Sequence, residues 1–77
     1  MFKKSRLEKA AKLKAGAAVI SKVDDKYSYA LTKDKKYNLI EDAIPFHSEK
    51  DVFFDVRFPI INDLGKEIRI TYVVFRF

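Results

Sequence analysis

The chain has 77 residues and a formal charge of +5, with 48% hydrophobic and 14% aromatic side chains, one His and no Cys. That much apolar material excludes wholesale disorder, the length favours one hydrophobic core, and the lack of Cys excludes disulfides and thiolate metal sites. No apolar run approaches a membrane span, and the run from Ala15 to Ile20 is shorter than a signal-peptide core, so a soluble, cytoplasmic protein is expected.

The charge is uneven along the chain. Lys3, Lys4, Arg6, Lys9, Lys12 and Lys14 are opposed only by Glu8 within residues 1–15, whereas residues 16–77 carry ten basic and ten acidic side chains. Residues 1–15 therefore read as a basic helical arm, and residues 16–77 as the neutral, β-rich body of the same small domain (1–77). Ser5-Arg6-Leu7-Glu8 has the spacing of a capping box, which makes Arg6 the first helical residue. Ala10, Ala11 and Ala15 favour helix and Gly16 suits a left-handed cap, so a helix is predicted from Arg6 to Ala15. Its apolar side (Leu7, Ala10, Ala11, Leu13) is narrow, wide enough only to lie on a sheet.

After Gly16 the hydrophobic period changes. Ala17 to Val23 reads as a strand closed by Asp24-Asp25. Tyr27 to Thr32 alternates, with Tyr27, Tyr29 and Leu31 on one face; Lys33 to Lys36 form a polar tip, and Tyr37 to Ile40 return as the second strand of that hairpin. Pro45 limits any helix between Glu41 and Phe46 to a turn. Val52, Phe54, Val56, Phe58 and Ile60 then alternate with Asp51, Phe53, Asp55, Arg57 and Pro59; Asn62, Asp63 and Gly65 supply a reversal, and Ile68, Ile70, Tyr72 and Val74 line the returning strand. The two even-numbered sets share a face if Phe58 opposes Ile68 or Ile70. Pairing with Ile68 would set Arg57 against Arg69, so Ile70 is preferred. Pro59 lacks an N–H and indicates an unpaired edge or a bulge near the strand's end. The expected fold class is α+β: one N-terminal helix packed on an antiparallel sheet of four or five strands, a sheet able to curl into a small barrel.

Little here points to catalysis. His47 beside Ser48 lies in no nucleophile motif, the two glycines are too far apart for a phosphate loop, and neither Asp24-Asp25 nor Glu41-Asp42 has calcium-loop spacing, so no enzyme, cofactor or metal is expected. Cations interleaved with flat rings suit a surface that neutralises phosphates and stacks bases. The chain is therefore expected to be a non-catalytic accessory protein that binds nucleic acid through Lys3, Lys4, Arg6, Lys9, Lys12, Lys14, Tyr27, Tyr29 and Tyr37; an acidic protein surface would satisfy the same charges. The alternative is a protein-interaction module, either a homodimer or an inhibitor of a larger protein. It would use Phe53, Val73, Phe75 and Phe77, whose odd parity turns them away from the even-numbered face, either under the helix or into an exposed patch.

Overall fold

The computed structural model describes residues 4–47 and 53–77. Its elements are helix α1 (Lys4–Ala11), strands β1 (Ala18–Ser21), β2 (Lys36–Asn38), β3 (Ile44–His47), β4 (Phe53–Ile61) and β5 (Glu67–Thr71), a 3-10 turn at Tyr72–Val74, and strand β6 (Phe75–Arg76). The fold is α+β, but the strands form two three-stranded antiparallel sheets, ordered β2-β1-β6 and β3-β4-β5, instead of one sheet of four or five. No barrel closes. The sheets meet at one corner, where Leu39 bridges Ile60 and the Ile40 N–H donates to the Pro59 carbonyl at 2.9 Å.

One buried cluster draws on every layer: Ala10 from α1, Val19, Tyr37 and Phe75 from the first sheet, Val56, Phe58, Ile60 and Ile70 from the second, and Leu31, Leu39 and Ala43 from the connections. Along β4 the even-numbered Val56, Phe58 and Ile60 are buried, as the alternation predicts, while Arg57 is exposed; the pattern breaks at Pro59, which is fully buried as well. The preferred register is the observed one: Phe58 opposes Ile70, Arg57 opposes Thr71, and Arg69 lies across from Pro59. β3 reaches only as far as Ile44 opposite Arg57, so the missing Pro59 N–H falls beyond the end of that partner strand.

Three local expectations are corrected. The helix runs over Lys4–Ala11, not Arg6 to Ala15, and Ser5 lies inside it instead of capping it. The chain leaves the helix through three-residue closures from Lys12 N–H to the Lys9 carbonyl and from Leu13 N–H to the Ala10 carbonyl, both 3.2 Å. An isolated helix of this length is marginal in water. Ala10, fully buried, lets its backbone approach the core closely, with Leu7, Ala11 and Leu13 packed beside it.

The predicted strand from Tyr27 to Thr32 does not form. The Asp25 carboxylate accepts the N–H groups of Tyr27 (3.1 Å) and Ser28 (2.9 Å), which folds the segment into a turn. Asp25 and Leu31 then exchange two backbone hydrogen bonds, of 2.9 and 2.7 Å, and close the loop. β2 consequently pairs with β1, Tyr37 opposite Val19.

The last strand is not continuous either. The 3-10 turn at Tyr72–Val74 interrupts it, and Phe75–Arg76 crosses to pair with β1, Ser21 opposite Phe75. The odd-numbered face expected for Phe75 is thereby lost: its ring lies in the core, centroid 5.7 Å from that of Phe58.

Candidate nucleic-acid interface

The cations of α1 are largely committed to the fold. The Arg6 guanidinium donates to the Phe75 carbonyl and lies over the Phe77 ring, 4.7 Å from its centroid. Lys9 Nζ donates to the main-chain oxygen of Phe77 at 3.1 Å and stands 5.8 Å from the same ring. Lys14 pairs with Asp42 at 3.6 Å, and the Asp42 carboxyl, which also accepts the Ala15 N–H at 3.0 Å, is held below its usual range chiefly by that backbone bond. Lys12 is exposed and borders a depression of about 340 Å³ with Glu8, Ala11 and Pro45. Lys3 lies outside the described residues, as does the side chain of Lys4. The segment is thus a docked helix clasping the end of β6, not a loose arm.

The described residues of the other expected patch are also separated. Phe75 is fully buried, whereas Phe77 is half-buried and packs edge-on against Phe58 (5.5 Å) and Tyr72 (6.4 Å). Val73 is half exposed, and the Phe53 side chain lies outside the described residues. Phe75 and Phe77 therefore serve the core and the helix clasp, and present no continuous aromatic surface.

The three tyrosines divide in the same way. Tyr37 is 5% exposed; its hydroxyl accepts the Thr32 N–H at 2.7 Å and donates to Asp63 at 2.9 Å, so its ring is not available for stacking. Burial pushes that hydroxyl's pKa up. Tyr27 and Tyr29, by contrast, are 101% and 46% exposed on the turn ordered by Asp25.

Asp63 holds the β1–β2 loop against the β4–β5 turn. It accepts Lys35 Nζ at 2.6 Å and Thr32 Oγ1 at 2.7 Å as well as the Tyr37 hydroxyl. These donors, Lys35 foremost, hold its carboxyl down to about 2, below the ordinary 3.8. A depressed folded-state pKa stabilises above the unfolded value and is lost as pH falls through the folded one. The difference in urea midpoint between wild type and Asp63→Asn should therefore be full above about pH 5 and shrink steadily towards about pH 2. A gap that stays constant across that window would contradict the linkage. Its size should be modest, because 26% of the Asp63 side chain is exposed and solvent screens the pair.

A second basic surface has only a faint mark in the sequence. On the outward side of the β2-β1-β6 sheet, Lys36 lies across from Ile20 and Ile20 from Arg76, and the exposure alternation of β1 continues to Lys22, whose N–H bonds the Val74 carbonyl at 2.8 Å. Residues 21–37 hold five lysines and three aspartates. Asp25 is spent on backbone N–H groups, the Ser28 bond foremost in lowering its pKa, and Asp34 pairs with Arg76 at 2.9 Å. Lys22, Lys26, Lys33 and Lys36 have no ion-pair partner among the described residues. The signal for this row is the triplet Lys36-Tyr37-Asn38: once Tyr37 is placed inward, its neighbours must face out.

Among the described residues no three His, Asp or Glu side chains converge as metal ligands, and no helix is long and apolar enough to cross a membrane. Compared with known protein families, curated proteins and solved structures, the chain has no significant match.

Proposed function

We propose that this is a non-catalytic nucleic-acid-binding protein whose contact surface is the outward face of the β2-β1-β6 sheet together with the loop joining β1 to β2. The supporting observation is that Lys22 and Lys36 on that face, and Lys26 and Lys33 in the loop that also carries the exposed Tyr27, have no ion-pair partner among the described residues. Unpaired lysines keep their charge available to phosphates, and each phosphate they neutralise releases counterions. The helix cations expected to carry binding are poorer candidates. Arg6 would have to give up its hydrogen bond to Phe75 and Lys9 its bond to the Phe77 main-chain oxygen, both would leave the Phe77 ring, and Lys14 would leave its carboxylate.

Fluorescence anisotropy of a labelled oligonucleotide tests the assignment. Four lysine contacts predict that affinity falls about 50-fold for a single strand, and about 150-fold for a duplex, between about 50 and 200 mM salt. Lys22→Glu combined with Lys36→Glu should weaken binding and cut the salt slope by roughly half, whereas Lys12→Glu, just past the end of α1, should change neither by much. Wild type that fails to bind DNA or RNA at low salt would end the proposal; a slope lowered only by the Lys12 variant would move the site back to the basic N-terminal segment.

A further inference from the structure

Two loops far apart in sequence meet at one end of the molecule. Asn62 Nδ2 donates to the Tyr29 carbonyl at 3.0 Å and the Asp63 N–H to the Ala30 carbonyl at 2.9 Å, so the β4–β5 turn is fastened to the Tyr27–Tyr29 segment. Asn62 Oδ1 in turn accepts the Leu64 and Lys66 N–H groups at 3.0 and 2.9 Å. Gly65, with φ +78°, makes the left-handed step of that turn. This fastened tip carries Tyr27, Tyr29 and Leu64, which are 101%, 46% and 70% exposed. Lys26 and Lys66 flank it, neither with an ion-pair partner among the described residues.

From this juxtaposition we infer that the tip takes unpaired bases, so that the surface proposed above, on which this inference rests, accepts single-stranded nucleic acid in preference to duplex. A flat ring held in water on an ordered backbone gains most from another flat ring, and it gains without the cost of ordering a floppy loop. In a duplex the base faces are already stacked and only their edges are open in the grooves, so Tyr27 and Tyr29 have nothing to lie on. A single strand offers every base face, while its phosphates, spaced along the backbone, meet Lys26 and Lys66. The flanking cations favour a polyanion over an apolar protein surface. The small aliphatic content of the tip, Leu64 with Ile61 at the end of β4, favours bases over the acyl region of a membrane.

The test uses the whole chain, with a single-stranded oligonucleotide, its duplex, and vesicles of phosphatidylcholine containing phosphatidylserine, all at one low salt concentration. The chain has four Tyr and no Trp, so tyrosine fluorescence reports stacking directly. Single strand should bind at least about tenfold more tightly than duplex and quench tyrosine emission. Tyr27→Ala should lose about tenfold in single-strand affinity and most of the quenching, with a much smaller loss for duplex, and Tyr27→Phe should restore the affinity. Because Tyr27 makes no buried contact, its replacement should leave the urea melt as in wild type. Equal affinity for both forms, or Tyr27→Ala binding single strand as wild type does, would overturn this inference and leave the proposed function standing. Binding to neither nucleic acid would overturn both, as would Tyr27-dependent binding to vesicles alone or Tyr27-dependent self-association in sedimentation.

Discussion

Phe75→Ala should cost about 3–5 kcal/mol, enough to threaten the fold of so short a chain. The ring is fully buried, lies edge-on to Tyr37 at 6.4 Å and tilted against Phe58 at 5.7 Å, and belongs to the two-residue strand that completes the first sheet. Truncation would leave a cavity among side chains of both sheets and withdraw the anchor of β6, whose main chain in turn receives Arg6. A chain of this size has a total stability on the order of 5–10 kcal/mol, so a large part of the population should be unfolded at physiological temperature. Urea denaturation measures the loss. Val73→Ala, two residues earlier and half exposed, provides the control and should stay within about 0.5 kcal/mol of wild type. A Phe75→Ala variant that melts like wild type would mean that β6 is not packed as described.

Asn62→Ala should cost about 3 kcal/mol, a large effect for a residue in a turn. Asn62 is 7% exposed, and its side chain makes three hydrogen bonds, one donated to the Tyr29 carbonyl and two accepted from Leu64 and Lys66. Each lost bond removes roughly 1 kcal/mol, less where water reaches the abandoned group. Asn62→Asp separates the contributions: the carboxylate still accepts both N–H groups but cannot donate to Tyr29, so a smaller loss of about 1–2 kcal/mol is expected. Hydrogen exchange adds a local readout. The Leu64 and Lys66 amides should exchange faster in the Ala variant and remain protected in the Asp variant; equal protection in all three proteins would remove Asn62 from the role assigned to it.

The C-terminal hairpin was legible in the sequence because two independent constraints agreed. The period-two pattern of Val56, Phe58 and Ile60 set the face, and the repulsion of Arg57 by Arg69 chose between the two registers that pattern allowed. The strand expected at Tyr27 failed because two local codes conflicted there. Alternating tyrosines favour a strand, but an aspartate two and three residues upstream of free N–H groups favours a turn, and the turn prevailed. The break at Tyr72–Val74 had no local mark at all: every residue from Ile68 to Phe75 is compatible with strand, and only the burial available to Phe75 beside Phe58 turns the chain aside. For the candidate site, the excess of positive charge was legible but its use was not. Arg6 and Lys9 find their acceptors 69 and 68 residues away on main-chain oxygens, a pairing that leaves no trace in side-chain composition.

The pairing of β1 bears on the order in which the molecule can assemble. One edge of that strand is met by β2, which follows it closely in the chain, but its other edge waits for Phe75 and Arg76 at the far end of the described residues. Closing so long a loop is entropically slow, and rates fall as such non-local pairings dominate a topology. Helix α1, too short to persist alone and clasped by the same distant residues, must follow them. During synthesis the first sheet therefore keeps an open hydrogen-bonding edge until the final strand arrives, and the chain must remain unaggregated over that interval.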